Sequence, residues 1–156
     1  MKHWSWCLAV TFFSSGILLA EEQSCVFDKS GVKPPLLSKE IAEFQKLDEQ
    51  NNEARFITKD GVYIYIKYWG CDHYGKSIYV TMPFNLEMDF KDNIVKYAKY
   101  FLDGNDVSLI SSGLKNVEDE KLYAPINIKG SQYSEFYVRL YDLNNLVTIN
   151  ISYSGN

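Results

Sequence analysis

The residues best equipped for chemistry lie in one short segment, Trp69-Gly-Cys-Asp-His-Tyr-Gly75. It contains His73, one of two histidines in the chain. A lone histidine beside one acid does not make a structural zinc site, which needs four ligands, and nucleophilic catalysis would need a nucleophile with a matched base. We therefore expect His73 to hydrogen-bond nearby backbone in a tight turn, with a partner-facing or acid–base role as the alternative.

Two Ser-x-x-Lys matches occur, Ser30-Gly-Val-Lys33 and Ser112-Gly-Leu-Lys115. On a helix, this spacing brings a lysine amine beside a serine hydroxyl, as in serine acyl-transfer enzymes. Both matches lie in glycine-containing segments that are not predicted to be helical, and the companion motifs are missing. The sequence therefore predicts no catalytic residue.

Two acidic stretches, Asp103-Gly-Asn-Asp106 and Glu118-Asp-Glu120, contain oxygen ligands for a hard cation. Calcium needs six to eight oxygens in a characteristic loop with a bidentate acid, which neither stretch shows. We interpret the first as a helix C-terminus entering a turn and the second as a solvated charged run. No metal or other cofactor is predicted. Carboxylate pairs for glycoside hydrolysis converge only in space, so sequence leaves a small hydrolase open.

The first twenty residues are typical of a cleaved export signal. A weakly basic start at Lys2 precedes an apolar run over residues 7–20, which ends at Ala20 before two acids. The run is shorter than the roughly 20 apolar residues of a spanning helix, so an uncleaved anchor is the less favoured interpretation. We expect residues 1–20 to be removed and 21–156 to form a single domain in the periplasm or outside the cell.

The composition after residue 20 limits the partners. One compact domain is expected at this size, without membrane insertion. The chain has a net charge of −4 and only two arginines, so a nucleic-acid partner is not expected. Tyrosine dominates the aromatic residues, which is common at protein recognition surfaces and in strands of β-rich proteins.

Cys25 and Cys71 are the two cysteines that follow the leader. In an oxidising compartment, two cysteines most economically form one disulfide bond. A Cys25–Cys71 bond would close a loop of about 46 residues and stabilise the fold by roughly 4 kcal/mol in the chain-entropy model.

Two helices and about six or seven strands follow from periodicity. Ser38 is placed to cap a helix over residues 38–50, where Ile41, Phe44 and Leu47 recur every three residues. A second helix over 89–102 begins at Asp89 and is placed to end at Gly104. Strands are predicted at 55–59, 62–69, 77–82, 107–111, 122–128, 135–143 and 146–153, with hairpin turns at Asp60-Gly61 and Asn144-Asn145 and a turn over 70–76. The fold class is α+β, a mostly antiparallel sheet with both helices on one face.

The most suggestive feature is a predicted face of the sheet rather than a motif. Strand alternation places large tyrosine and tryptophan side chains with two basic residues opposite the apolar side. Coverage by loops or a helix, or simple paving of a solvated sheet, is the competing interpretation. With His73, the predicted partner-binding residues are Tyr63, Tyr65, Lys67, Trp69, Tyr79, Tyr137, Arg139 and Tyr141.

These features favour an exported binding protein without catalysis, acting as a monomer or homodimer on a protein partner in the envelope or extracellular space. An inhibitor or immunity protein that blocks a toxin or cell-wall-active enzyme fits best, because an acidic inhibitor is steered towards basic targets. An accessory subunit of a secretion or envelope assembly, a small hydrolase using dispersed carboxylates and a carrier of a small ligand stay open.

Overall fold

Alternating apolar residues along the chain form a seven-stranded antiparallel sheet in the computed structural model, which describes residues 38–48, 52–70, 74–85, 87–130 and 134–155. The strands are β1 (Ile41–Lys46), β2 (Glu53–Thr58), β3 (Tyr63–Gly70), β4 (Tyr74–Pro83), β5 (Ile126–Lys129), β6 (Ser134–Leu143) and β7 (Leu146–Gly155). Helices α1 (Phe90–Ala98) and α2 (Gly104–Leu114) separate β4 from β5. The predicted leader, the lead-in to residue 37, both cysteines of the predicted disulfide and His73 lie outside the described residues.

The strands are ordered β1-β2-β3-β4-β7-β6-β5, and every neighbouring pair is antiparallel. Two meanders, β1 to β4 and β5 to β7, join where β4 pairs with β7 from Tyr74↔Gly155 to Pro83↔Leu146. The predicted α+β class with a mostly antiparallel sheet and two helices is confirmed. The topology brings β6 beside the central strands, although α1 and α2 separate it from β4 in sequence.

The hydrophobic core lies between one face of the sheet and both helices. Its strand residues alternate strictly, as in Ile64 and Ile66 or Ile149 and Ile151, and the helices contribute side chains such as Ile94 and Ile110. This alternation is what a half-buried sheet requires, because successive side chains point to opposite faces. Among the described helices, none is both long and apolar enough to cross a bilayer.

The predicted helix over residues 38–50 is wrong. The segment forms a single 3₁₀ turn, Ser38–Glu40, followed by edge strand β1. Ile41 pairs with Thr58 and Phe44 with Phe56, and an irregularity in register lies between Ile41 and Glu43. A β-bulge inserts one extra residue, so side chains three positions apart reach the same face of the sheet. The spacing of Ile41 and Phe44, which formed the first part of the predicted helical stripe, is therefore produced by a bulged strand.

The predicted strand over 107–111 is also wrong, because these residues lie inside α2. The Asp103 side chain caps the helix by accepting hydrogen bonds from the backbone N–H groups of Asn105 and Asp106, both at 2.9 Å. Val107, Ile110 and Leu114 form its buried stripe. This i, i+3, i+7 spacing is helical. It is not visible within residues 107–111 alone, because its last member, Leu114, lies beyond the predicted strand.

Three further boundaries differ from the prediction. Helix α1 begins after the Asp89 cap as expected but ends at Ala98, and Gly104 starts α2 instead of ending α1. Strand β4 begins at Tyr74, within the segment predicted as a turn. The predicted strand over 122–128 is split into a 3₁₀ turn, Asp119–Tyr123, and β5. Pro125 lies at this division and has no N–H for a sheet hydrogen bond.

The β2–β3 hairpin turns at Asp60-Gly61, as predicted, and Gly61 has a φ of 80°. Thr58 organises this turn from a buried position. Its hydroxyl accepts a hydrogen bond from the Val62 N–H at 2.9 Å and donates to the Asp60 carboxylate. Asp60 in turn pairs with Lys96 of α1 at 3.3 Å, so the hydroxyl connects the turn to the helix layer.

We expect Thr58→Val to destabilise the fold by about 1–3 kcal/mol, because it keeps the side-chain shape but leaves the buried Val62 N–H without its acceptor. Urea unfolding measures the change. Thr148→Val is the matched control, since the half-buried Thr148 hydroxyl contacts another side-chain hydroxyl and should cost less. Equal losses in the two variants would contradict this role.

Candidate functional site

The eight described residues of the predicted partner-binding set lie on the same face of the sheet, opposite α1 and α2. We call this surface the open face; it consists of the odd-numbered residues of β2 to β6, the even-numbered residues of β7, and Glu43 and Gln45 of β1. The predicted residues on it are Tyr63, Tyr65, Lys67 and Trp69 of β3, Tyr79 of β4, and Tyr137, Arg139 and Tyr141 of β6.

Strand register aligns the centre of the open face in one row. Tyr65 pairs with Tyr79, Tyr79 with Asn150, and Asn150 with Arg139. The Tyr65 and Tyr79 rings lie 5.9 Å apart between centroids, within the range of favourable aromatic pairs. The tyrosines of β3 and β4 and those of β6 are therefore two groups separated by β7.

Four of the predicted aromatic side chains stay between 38% and 41% exposed: Tyr63, Trp69, Tyr137 and Tyr141. Two leucines outside the predicted partner-binding set extend this surface at the β6–β7 hairpin. Leu143 is 68% exposed, Leu146 is 43% exposed, and the two form a cross-strand pair beside Pro83. The alternation along β6 that places Tyr141 on this face also places Leu143 there. Extending the alternation to the end of the strand therefore predicts Leu143 as a surface residue of the open face.

Trp69 lies against the sheet and is held in place from two sides. An ideal Cβ on Gly75 would fall 2.4 Å from Trp69 Cζ2, so the indole occupies the space above that glycine. The indole N–H donates to Ser77 Oγ at 3.3 Å. A large aromatic side chain fixed in this way loses little conformational entropy when a partner packs on it.

Small polar side chains line the open face between the two tyrosine groups. Ser77 and Ser152 hydroxyls are 3.0 Å apart, Thr81 and Thr148 hydroxyls are 2.9 Å apart, and Ser152 donates to Asn150 Oδ1 at 3.2 Å. Sequence alternation predicts their side of the strand but not these cross-strand contacts, which depend on β4 pairing with β7. The result is a low polar strip along β7 flanked by large aromatic side chains.

Lys67 is held by a network at the β2 side of the open face. Its ammonium lies 2.8 Å from the Glu53 carboxylate, which also accepts a hydrogen bond from the Tyr65 hydroxyl. These two donors hold the pKa of Glu53 below its usual value. Burial, followed by the Glu53 contact, raises the pKa of Tyr65 to about 12. Lys67 therefore has an internal ionic partner on this face.

The Glu53 network should make stability depend on acid. A carboxyl group with a lowered pKa in the folded state stabilises the fold above its unfolded pKa of about 4.3, and this contribution is lost as pH falls through the folded pKa. Glu53→Gln should therefore lower the free energy of unfolding at pH 7, and the difference should shrink as pH falls below about 4.3 and disappear once the pH lies below the lowered folded-state pKa of wild-type Glu53. Urea unfolding across this pH range, with exposed Glu43→Gln as control, measures it. A difference that is independent of pH would refute the network.

Arg139 is fixed differently from Lys67. Its Nε donates to the Tyr123 carbonyl at 3.1 Å, and its guanidinium carbon lies 4.7 Å from the centroid of the Tyr141 ring. The nearby Glu135 carboxylate accepts a hydrogen bond from the Tyr137 hydroxyl at 2.5 Å, which raises the pKa of Tyr137. Within the described residues, all ion pairs are made by lysines, so neither arginine has a carboxylate partner there.

The Ser112-Gly-Leu-Lys115 match borders a cleft on the opposite side of the molecule. This cleft of about 290 Å³ lies between the start of α1 and the end of α2, and Asp89, Lys91 and Asp92 also line it. Ser112 is in α2, contrary to the prediction, while Lys115 follows the end of that helix. Lys91 forms an ion pair with Asp119 at 3.3 Å. Nothing in this geometry pairs the Ser112 hydroxyl with an activating base.

The acids of the Asp103–Asp106 stretch have a structural arrangement. Asp103 caps α2, and burial together with the Asp103 charge raises the pKa of Asp106. The half-buried Lys76 lies near both acids and donates to the Phe101 carbonyl at 3.1 Å, and burial lowers the pKa of its amine. Over the described ranges, no group of three or more histidine, cysteine or acidic side chains is placed to hold a metal ion.

Comparison with known proteins gives no relative from which a function could be transferred. The chain matches no family model, no curated protein and no solved structure. The open face must therefore be interpreted from its own chemistry.

Proposed function

We propose that this chain is an exported, non-catalytic binding protein that docks a protein partner through the open face. The main support is the distribution of exposed apolar side chains. Of the nine large hydrophobic side chains that are exposed among the described residues, six lie on this face: Tyr63, Trp69, Tyr137, Tyr141, Leu143 and Leu146. Exposed apolar side chains concentrated on one surface mark interaction sites.

The residue types also favour a protein partner. Tryptophan, tyrosine and arginine dominate the residues that contribute most to binding at protein interfaces. The open face supplies all three, with Trp69 fixed against Gly75 and Arg139 fixed against Tyr141. The polar strip along β7 supplies hydroxyl groups that can exchange hydrogen bonds with a partner.

The proposed partner is a toxin or a cell-wall-active enzyme in the periplasm or extracellular space, with this chain as its inhibitor or immunity protein. Two features of the sequence support this step: the predicted export signal over residues 1–20 and the net charge of −4, which favours encounter with a basic enzyme. The proposal includes a Cys25–Cys71 disulfide bond that stabilises the domain in an oxidising compartment.

The test is capture of the partner by the oxidised chain from envelope and culture-fluid extracts, followed by mass spectrometry. The chain and two variants are used as bait. Tyr137→Ala with Tyr141→Ala alters the open face, while Lys99→Ala with Lys115→Ala alters exposed positions on the helix side. Thermal unfolding first establishes that all three baits are folded.

We expect wild type and the helix-side variant to retain one stoichiometric partner whose toxic or wall-degrading activity is silenced on binding. The open-face variant should lose it, because each tyrosine truncation at such a site costs on the order of 2 kcal/mol, about thirtyfold in affinity. Equal retention by all three baits would overturn the assignment of the open face. Capture of several envelope components would favour an accessory subunit instead.

A further inference from the structure

The two arginines of the chain, Arg55 and Arg139, lie in the same cross-strand row of the open face. Four strand spacings separate them, about 19 Å at 4.8 Å per strand. Between them stand Tyr65, Tyr79 and Asn150. Although the protein is acidic overall, both of its arginines therefore lie on the surface proposed for docking.

The Arg139 side chain is held in place by two internal contacts. The bond from Nε to the Tyr123 carbonyl and the stacking on Tyr141 fix the plane of the guanidinium. These contacts occupy one face of the planar guanidinium and one of its five N–H donors. The remaining N–H donors belong to the two terminal nitrogens, which form the fork that matches a carboxylate.

The surroundings favour a carboxylate over a more highly charged anion. Exposed Tyr137 and Tyr141 flank Arg139 along β6, and Asn150 and its neighbours on β7 are uncharged. Glu135, two residues beyond Tyr137, adds negative charge to this side of the face. One fixed guanidinium with an acid nearby suits a single negative charge, whereas phosphate sites collect several positive groups.

We infer that Arg139 is a specificity-determining residue that binds an aspartate or glutamate side chain of the protein partner. The inference rests on the proposed function of the open face and adds the chemistry of the group recognised. The carboxylate takes both terminal nitrogens of Arg139 while the Tyr137 and Tyr141 rings exclude water from the pair. Because the guanidinium is already fixed, little side-chain entropy is lost when the pair forms.

The test uses peptide display, which needs no known partner. A library of random twelve-residue peptides is selected on the folded chain and, separately, on Arg139→Gln, Arg139→Lys, the Tyr137→Ala and Tyr141→Ala double variant, and Lys99→Gln. The last removes one exposed positive charge on the helix side as a matched control. Arg139 is half-exposed, so its variants should fold, and thermal unfolding checks this.

Peptides selected on wild type and on Lys99→Gln should carry an aspartate or glutamate at a constant position. That preference should disappear on Arg139→Gln and weaken on Arg139→Lys, which keeps the charge but not the planar fork. A double-mutant cycle then follows with one selected peptide. Replacing its acid by the matching amide should cost roughly ten- to a hundredfold in affinity on wild type and little on Arg139→Gln.

Two results separate the inference from the proposed function. Peptides that need the open-face tyrosines but show no acidic preference, or whose acid contributes equally on wild type and Arg139→Gln, would overturn the carboxylate assignment alone. If instead no peptide binds wild type better than the tyrosine double variant, the open face itself is not a docking surface and both proposals fail.

Discussion

Replacing Gly75 by alanine should destabilise the fold and release Trp69 from the open face. The added Cβ would lie 2.4 Å from Trp69 Cζ2 and 2.6 Å from the Tyr153 carbonyl oxygen. The tryptophan could swing away, but the carbonyl belongs to the backbone of β7, which pairs with β4 at this position. We expect a loss of roughly 3 kcal/mol, at the upper end for overpacking, because both strands must shift.

Fluorescence and urea unfolding measure the two effects together. Of the three tryptophans in the chain, Trp4 and Trp6 lie in the predicted leader, so Trp69 is the only one downstream of it. Gly104→Ala is the control, because a Cβ there meets nothing within 4 Å and the residue lies in the first turn of α2. Alanine should leave that site equally stable or slightly more stable. Unchanged emission and stability in Gly75→Ala would contradict the packing of Trp69 on Gly75.

Ser111→Pro should cost about 3 kcal/mol or more in stability, the second large effect. Ser111 is exposed in the third turn of α2, so its side chain contributes little to the core. Proline removes a helical hydrogen bond and clashes with the carbonyl four residues earlier. Ser111→Ala is the matched control and should be neutral or stabilising, since alanine has the higher helix propensity.

Far-ultraviolet circular dichroism and urea unfolding distinguish α2 from the strand that the sequence suggested at 107–111. A proline variant as stable as Ser111→Ala would contradict a helix at this position. Because proline would also destabilise a strand, the helix is supported when the loss of stability is accompanied by a weaker helical circular dichroism signal, with both unaffected in the alanine control.

The sequence predicts the sheet well where alternation is long and uninterrupted. Strands β3, β6 and β7 and the turns at Asp60-Gly61 and Asn144-Asn145 follow from it, and Asn144 has the φ of 58° that such a turn requires. It fails where the local period is altered. The bulge in β1 imitates a helical spacing. In α2, the five residues 107–111 that were predicted as a strand contain too few apolar positions to show the helical period.

Much of the candidate site was predictable for the same reason. Alternation assigns the aromatic residues of β3, β4 and β6 to sides of their strands, but only the strand order shows that these sides form one face. That order depends on β4 pairing with β7 across about 70 residues of sequence. The packing of Trp69 on Gly75 and the contacts of Arg139 with Tyr123 and Tyr141 are likewise products of tertiary structure.

Hydroxyl-radical footprinting with the captured partner shows whether the open face docks a protein. The radical oxidises accessible aromatic and leucine side chains, so oxidation of the chain alone is compared with that of the complex. We predict strong protection of Trp69, Tyr137, Tyr141 and Leu143, with Phe44 on the helix-facing side of edge strand β1 unchanged. Protection of residues in α1 and α2 with Trp69 and Tyr141 still fully oxidised would contradict docking through the open face.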